Sequence, residues 1–167
     1  MNTTEAVLQT AVELLALYQS GHTRPEPNRL DVALAPGELL AAVAKLHEAR
    51  WGYLAAITGL DLGAKAGELE VLYHFCSGAA IVTLRVRLPR AAPAVPTLAG
   101  VIASADLLEH EMSEMLGVEV TGSAYSDHLF LPEDWPAGAF PLRKEPLPPA
   151  FAGAAPVGSP AGQEVKP

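Results

Sequence analysis

The feature that most constrains this fold is a pair of alternating segments in the middle of the chain, residues 68–76 and 79–88. In both segments apolar and polar residues alternate, a pattern typical of strands that bury one face. The dipeptide Ser77-Gly78 separates them, and a two-residue connection containing glycine favours a tight β-hairpin. The sequence therefore predicts an antiparallel hairpin as the centre of the fold.

The side chains also predict one register for this hairpin. A loop formed by Ser77-Gly78 sets Tyr73 opposite Val82 on the apolar face. On the other face it sets Glu70 opposite Arg85, so that an acid meets a base. Because the turn and both faces agree, we expect this register in the folded chain.

Around the hairpin, hydrophobic periodicity predicts the remaining elements. Helical patterns cover residues 3–18, 36–48 and 97–116. Strand patterns cover residues 30–34, 53–60 and 118–120. The expected fold class is α+β: a two-layer domain in which a mostly antiparallel sheet packs on helices.

Proline marks the segments without regular structure. A proline-rich stretch at residues 89–96 is typical of a linker. Nine of the fifteen prolines lie between Pro132 and Pro167, where no periodicity remains. We therefore expect a core domain at residues 1–120 and an extended, proline-rich C-terminal docking tail at residues 121–167, loose after about residue 150.

Composition excludes several classes of protein. The net charge of −8 argues against a nucleic-acid binder, which needs positive charge for phosphates. A single cysteine excludes a disulfide scaffold and a self-contained iron–sulfur site. The excess negative charge is concentrated in one segment, because residues 91–142 contain eight acids and no lysine or arginine. That segment is either a solvated acidic face or a surface that meets a basic partner.

The uncharged stretches do not predict a membrane span. Residues 71–84 and 91–105 are shorter than the roughly 20 apolar residues that a bilayer requires. Residues 146–163 are long enough but contain five prolines. The first ten residues lack the basic start of a signal peptide, so the sequence favours a cytosolic chain.

Candidate catalytic groups are few. His74 and Cys76 share one strand face, which permits a Cys–His nucleophile, but a satisfied polar strand position is the commoner explanation. The five histidines form no helical metal-binding pair, and two ligands do not make a metal site. We therefore expect no catalytic, cofactor or metal residues in this chain.

The acids of the third predicted helix suggest an interaction role. On a helical wheel Glu109 and Glu111 flank the apolar stripe, so they should be partly buried and need partners. Glu114 falls on the far side, away from the core. These carboxylates either handle protons, dock another subunit, or bond to nearby loops of the same chain.

Five segments, in order, resemble one family. They are 69–75 (Leu-Glu-Val-Leu-Tyr-His-Phe), 86–90 (Val-Arg-Leu-Pro-Arg), 106–117 with its Glu109-His110-Glu111 centre, 131–135 (Leu-Pro-Glu-Asp-Trp) and 141–145 (Pro-Leu-Arg-Lys-Glu). Together they are similar to the "30 kDa" subunit of proton-pumping NADH:quinone oxidoreductase, the respiratory-chain NADH dehydrogenase known as complex I. The resemblance covers residues 51–146, and the first fifty residues fit only loosely.

The resemblance implies a non-catalytic subunit in the peripheral arm of a membrane-associated, ion-translocating redox complex. Such subunits hold no cofactor, whereas NADH, quinone and iron–sulfur clusters belong to their partners. The implied partners are the quinone-site subunit and an iron–sulfur subunit, and the implied location is the cytoplasmic face of the cell membrane, reached only through the complex. The residues expected to dock those partners are Glu109, Glu111, Glu114, Glu133, Asp134, Trp135, Arg143 and Lys144.

Departures from the family pattern leave the parent complex open. The family has arginine where His110 stands, and arginines where Asp127 and His128 stand. Trp135 and Pro141 are two residues further apart than in typical complex I members. That longer spacing is similar to the equivalent subunits of energy-converting nickel–iron hydrogenases and formate hydrogenlyase-type complexes. A large hydrogenase-like subunit would then be the partner. The alternative to a subunit of a redox complex is a free-standing interaction module that belongs to no such complex.

Overall fold

The fold is described from a computed structural model, in which residues 3–123, 125 and 127–144 are placed. The helices are α1 (Thr3–Leu15), α2 (Leu39–Glu48), which follows a 3₁₀ turn at Pro36–Glu38, and α3 (Ala105–Leu116). The strands are β1 (Gln19–Thr23), β2 (Arg29–Leu34), β3 (Tyr53–Asp61), β4 (Glu68–Ser77), β5 (Ala80–Pro89), β6 (Ala94–Pro96) and β7 (Glu119–Thr121). The predicted loose segment after residue 150 lies outside the described residues.

Five strands form one mixed sheet in the order β1-β2-β5-β4-β3. Its β2–β5 pair is parallel, and its other three pairs are antiparallel. Strands β6 and β7 form a separate parallel pair. The α+β class with a mostly antiparallel sheet is therefore confirmed.

The predicted hairpin is present, but its register is shifted by two residues. Strand β4 continues through Ser77 and β5 begins at Ala80, so the loop consists of Gly78 and Ala79. Gly78 has a φ of +59° at the first loop position, as a type II′ turn requires. The predicted register was wrong because a shift of two keeps every side chain on its face, and alternation alone cannot detect it.

The charged face of the hairpin adapts to this register. Glu70 lies opposite Arg87 rather than Arg85. Arg85 nevertheless reaches Glu70 diagonally, with Nη2 donating to Oε2 at 2.7 Å and Nε donating to Oε1 at 3.1 Å. Its Nη1 also donates to Asp31 on β2 at 2.9 Å. One arginine thus joins the two carboxylates across three neighbouring strands.

Two strands were missed by the sequence reasoning. Helix α1 ends at Leu15 instead of residue 18, and the polar strand β1 follows it. All but the first residue of β1 are exposed, so no apolar alternation marks it. Strand β6 lies inside the predicted linker. Its proline-rich sequence has little strand propensity, and the strand forms because it pairs with β7. The helix predicted from residue 97 begins only at Ala105.

The core lies between the sheet and the helices. Helix α1 packs on β5, and α3 packs on β3. Helix α3 comes close to Gly59 of β3, where a Cβ atom would overlap the Leu116 side chain. The core face of the hairpin contributes Leu69, Val71, Tyr73, Phe75, Val82, Leu84, Val86 and Leu88.

Candidate functional site

The candidate site is built from α3 and from residues 127–144, which we call the strap. Within the strap the structure shows no helix or strand. It returns along α3, and the Leu142 amide donates to the Met115 carbonyl at 3.1 Å. The strap therefore belongs to the folded body as far as Lys144.

Glu114 holds the first part of the strap. Its carboxylate accepts the amides of Leu129, Phe130 and Leu131 at 3.0, 2.8 and 3.2 Å, and His128 Nδ1 lies 2.8 Å from Oε1. Burial alone would raise the pKa of Glu114, but these four contacts overcome it and lower the pKa. The wheel placed Glu114 on the side of the helix away from the apolar stripe, but the side chain is buried, because the strap covers that side.

Glu109 is fully buried on the same helix. Its oxygens accept the Leu98 amide at 2.6 Å and the Thr97 hydroxyl at 2.7 Å. Burial raises the pKa of Glu109, and the two hydrogen bonds offset this only in part. The need for partners was predicted correctly, and both partners belong to a nearby loop. Glu111 is exposed, so the expectation of a partly buried flank fails there.

The end of the strap caps the C-terminus of α3. Gly117 adopts a left-handed φ of +66°, the usual way for a helix to end. Arg143 donates from Nε to the Leu116 carbonyl at 2.7 Å, and its guanidinium lies 4.9 Å from the centre of the Phe140 ring. A cation at this position satisfies a terminal carbonyl and complements the helix dipole.

Asp61, at the end of β3, binds the backbone of Lys144, the last residue that the structure describes. Its side chain accepts the Gly63 and Lys144 amides, each at 2.7 Å, and is paired with Arg90. Burial alone would raise the pKa of Asp61, but the two amides and the guanidinium outweigh it and lower the pKa to about 2. Sequence reasoning missed this residue, although Asp-x-Gly after a strand is a turn signal.

Acid should release this contact. Since the folded pKa of Asp61 is depressed, its contribution to stability is complete above the ordinary aspartate range and disappears as the pH falls towards 2. Asp61→Asn is expected to lower the free energy of unfolding at pH 7, with a difference from wild type that shrinks from about pH 4 downwards. Urea unfolding at several pH values measures it. A difference that stays constant down to pH 2 would contradict the assignment.

A pocket of about 230 Å³ lies between α3 and the strap. His110 stacks on Tyr125 with ring centres 4.2 Å apart, and His110 Nε2 lies 3.0 Å from the Asp127 carbonyl. His128 and Trp135 line the strap side. The pocket is therefore walled by imidazole and aromatic rings at the centre of the acidic segment.

The predicted docking residues fall into two groups. Glu109, Glu114 and Arg143 bond within the chain, and the half-buried Trp135 donates its indole N–H to the Ala139 carbonyl at 2.8 Å. The side chains of Glu111, Glu133, Asp134 and Lys144 are exposed. In addition, α3 and the strap expose three large apolar side chains: Leu107 (58%), Phe130 (60%) and Leu142 (58%). We call these seven exposed residues the α3–strap surface.

His74, the other candidate group of the sequence analysis, lies on β4. His74 Nδ1 lies 3.1 Å from the Thr83 hydroxyl, as expected of a satisfied strand residue. Burial lowers the pKa of this histidine. Among the placed residues, no three His, Cys, Asp or Glu side chains are grouped to hold a metal ion. None of the placed helices is long and apolar enough to cross a bilayer.

Comparisons with known proteins agree with the resemblance. The C subunit of the NADH-quinone oxidoreductase of Roseiflexus sp. (strain RS-1) is 32% identical over 100 residues, covering 59% of this chain and 56% of that protein. The chain spans only about half the length of the first relatives that it matches. The protein of the same name from Moorella thermoacetica is 32% identical over 136 residues, which cover 80% of this chain and 90% of the relative.

A solved structure supports the fold. A chain of the membrane-bound sulfane sulfur reductase, an archaeal respiratory membrane complex, superposes with a TM-score of 0.70 at 20% identity, covering 84% of this chain and 83% of that one. The family described as "Respiratory-chain NADH dehydrogenase, 30 Kd subunit" matches residues 32–149, a range that includes the second half of β2, β3 to β7, α2, α3 and the whole strap. The chain therefore belongs to the 30 kDa subunit family of the respiratory-chain NADH dehydrogenase.

Proposed function

We propose that this chain is a non-catalytic subunit of a membrane-associated, ion-translocating redox complex, in the position of the 30 kDa subunit of NADH:quinone oxidoreductase. The family match over residues 32–149 carries the proposal. The Moorella relative supports it, because the alignment covers nine-tenths of its length.

The α3–strap surface is the part of the chain that we assign to docking. Exposed Leu107, Phe130 and Leu142 would lose water on contact with a partner, and such burial drives association. The exposed acids Glu111, Glu133 and Asp134 of the same surface would select a partner of positive charge. Glu109, Glu114 and Arg143 contribute indirectly. Their hydrogen bonds within the chain hold α3, the strap and the loop before α3 in position.

The partners and the cofactors follow from the same proposal. The adjoining chains would be the quinone-site subunit and an iron–sulfur subunit. NADH, quinone and the clusters would be bound by those partners, and this chain would hold none of them. Its contact with the membrane, at the cytoplasmic face, would come only through the complex.

Charge reversal on the strap tests the docking assignment. Glu133→Lys with Asp134→Lys is expected to reduce recovery of the tagged chain in a high-mass membrane complex several-fold, with a melting temperature close to that of wild type. The matched control is Glu13→Lys with Glu48→Lys, which makes the same charge change at exposed positions of α1 and α2. Quantitative mass spectrometry after solubilisation measures recovery.

Equal recovery of the two double variants would contradict the assignment of the strap. The co-purified chains also identify the parent complex. NADH-binding and iron–sulfur subunits would indicate complex I, whereas a nickel-binding subunit would indicate a hydrogenase-type complex. Recovery of the chain only as a free monomer would overturn the proposed function itself.

A further inference from the structure

The pocket between α3 and the strap is lined by hydrogen-bond acceptors. His110 Nε2 faces the Asp127 carbonyl at 3.0 Å. A carbonyl oxygen can only accept, so Nε2 must carry the hydrogen, and Nδ1 of the neutral ring is an acceptor. This second nitrogen makes no hydrogen bond to any residue that the structure places.

His128 has the opposite tautomer by the same reasoning. Its Nδ1 lies 2.8 Å from Glu114 Oε1, and that carboxylate also accepts three amides. Nδ1 therefore donates, and Nε2, which has no partner among the placed residues, accepts a hydrogen bond whenever the ring is uncharged. Asp127 and Glu114 are also lining residues, so the lining includes two acidic residues.

Aromatic rings complete the walls of the pocket. Tyr125, Trp135 and Phe140 line it together with the two imidazoles, and none of its lining residues is a lysine or an arginine. A lining of acceptors, acidic residues and aromatic rings matches a planar cation that carries several N–H donors. The guanidinium group fits this description better than ammonium, because it stacks on rings and donates in a fixed fork.

We propose that this pocket receives an arginine side chain of the adjoining subunit. The inference rests on the proposed function, whose docking surface it extends by one specific contact. A metal ion is the less suitable occupant, since the placed residues group no three metal-binding side chains. The local excess of acids would attract a basic segment, and the pocket would fix its position.

The test uses the full chain and a small probe, N-acetyl-L-arginine amide. Titration followed by NMR should shift the imidazole signals of His110 and His128, with a dissociation constant on the order of 1–10 mM. The citrulline analogue has nearly the same shape without the charge, and it should bind at least several-fold more weakly. Asp127→Asn should weaken binding of the arginine probe about three-fold or more.

The matched control is Glu119→Gln, which removes one exposed acid on β7, outside the pocket. It should leave the dissociation constant unchanged. Equal binding of the arginine and citrulline probes, or equal effects of Asp127→Asn and Glu119→Gln, would overturn the proposal. Membrane recovery of the chain is measured separately, so the pocket can fail while the subunit assignment stands, and the reverse.

Discussion

Glu114→Leu is expected to lower the free energy of unfolding by about 3 kcal/mol, the result of removing a buried acceptor from several donors. The amides of Leu129, Phe130 and Leu131 lose their common acceptor, and His128 loses its partner. For a chain of this size the melting temperature should fall by about 6–12 °C. Circular dichroism gives the melting temperature, and chymotrypsin should cut the strap faster.

Glu111→Leu is the matched control, because it makes the same change three residues earlier on the same helix at an exposed position. It should alter the free energy of unfolding by no more than about 0.5 kcal/mol. Glu114→Gln should fall between the two, since an amide oxygen still accepts part of the bonds. Similar losses for Glu114→Leu and Glu111→Leu would show that the strap is held elsewhere.

Gly117→Ala is expected to lower the free energy of unfolding by about 2–5 kcal/mol, from two separate causes. The residue ends α3 at φ +66°, where a side chain costs about 1–2 kcal/mol. A Cβ atom there would also overlap the Phe140 ring, and overpacking adds about 1–3 kcal/mol. Equilibrium urea unfolding measures the total loss.

Gly67→Ala separates the two causes. Gly67 has nearly the same φ, +68°, and a Cβ atom there would meet nothing within 4 Å. Gly67→Ala should lower the free energy of unfolding by the backbone cost alone. The additional loss in Gly117→Ala then measures the overlap with the Phe140 ring. If the two variants lose equal stability, the Phe140 ring does not press on the helix end.

The central hairpin was predictable because its signals are local. Alternation identified β4 and β5 and assigned each side chain to the correct face. Loop geometry decided the register, and Ser77-Gly78 and Gly78-Ala79 are both permitted by the pattern. The pairing of Ser77 with Ala80 distinguishes them, and that pairing belongs to the folded chain.

Strands β1 and β6 were not predictable for a different reason. Each is held by pairing with a neighbour: β1 with β2, and β6 with β7. Pairing contributes hydrogen bonds to any sequence that can extend, so polar and proline-containing segments enter sheets without an apolar pattern. Their sequences contain no signal of their own.

The acids of α3 show where a helical wheel stops being informative. The wheel assumes that one side of a helix faces the core and the other faces water. The strap covers the second side, so Glu114 is buried while Glu111 remains in water. The family resemblance identified the right segment, but only tertiary contacts separate the acids that shape the surface from those that it exposes.

Lysine-specific cross-linking in native membranes tests the account most directly. Lys144 lies on the α3–strap surface, whereas the exposed Lys45 lies on α2, outside that surface. We predict cross-links from Lys144 to an iron–sulfur or quinone-site subunit of a membrane complex, identified by mass spectrometry of the linked peptides. Cross-links to such subunits from Lys45 and none from Lys144 would contradict the account.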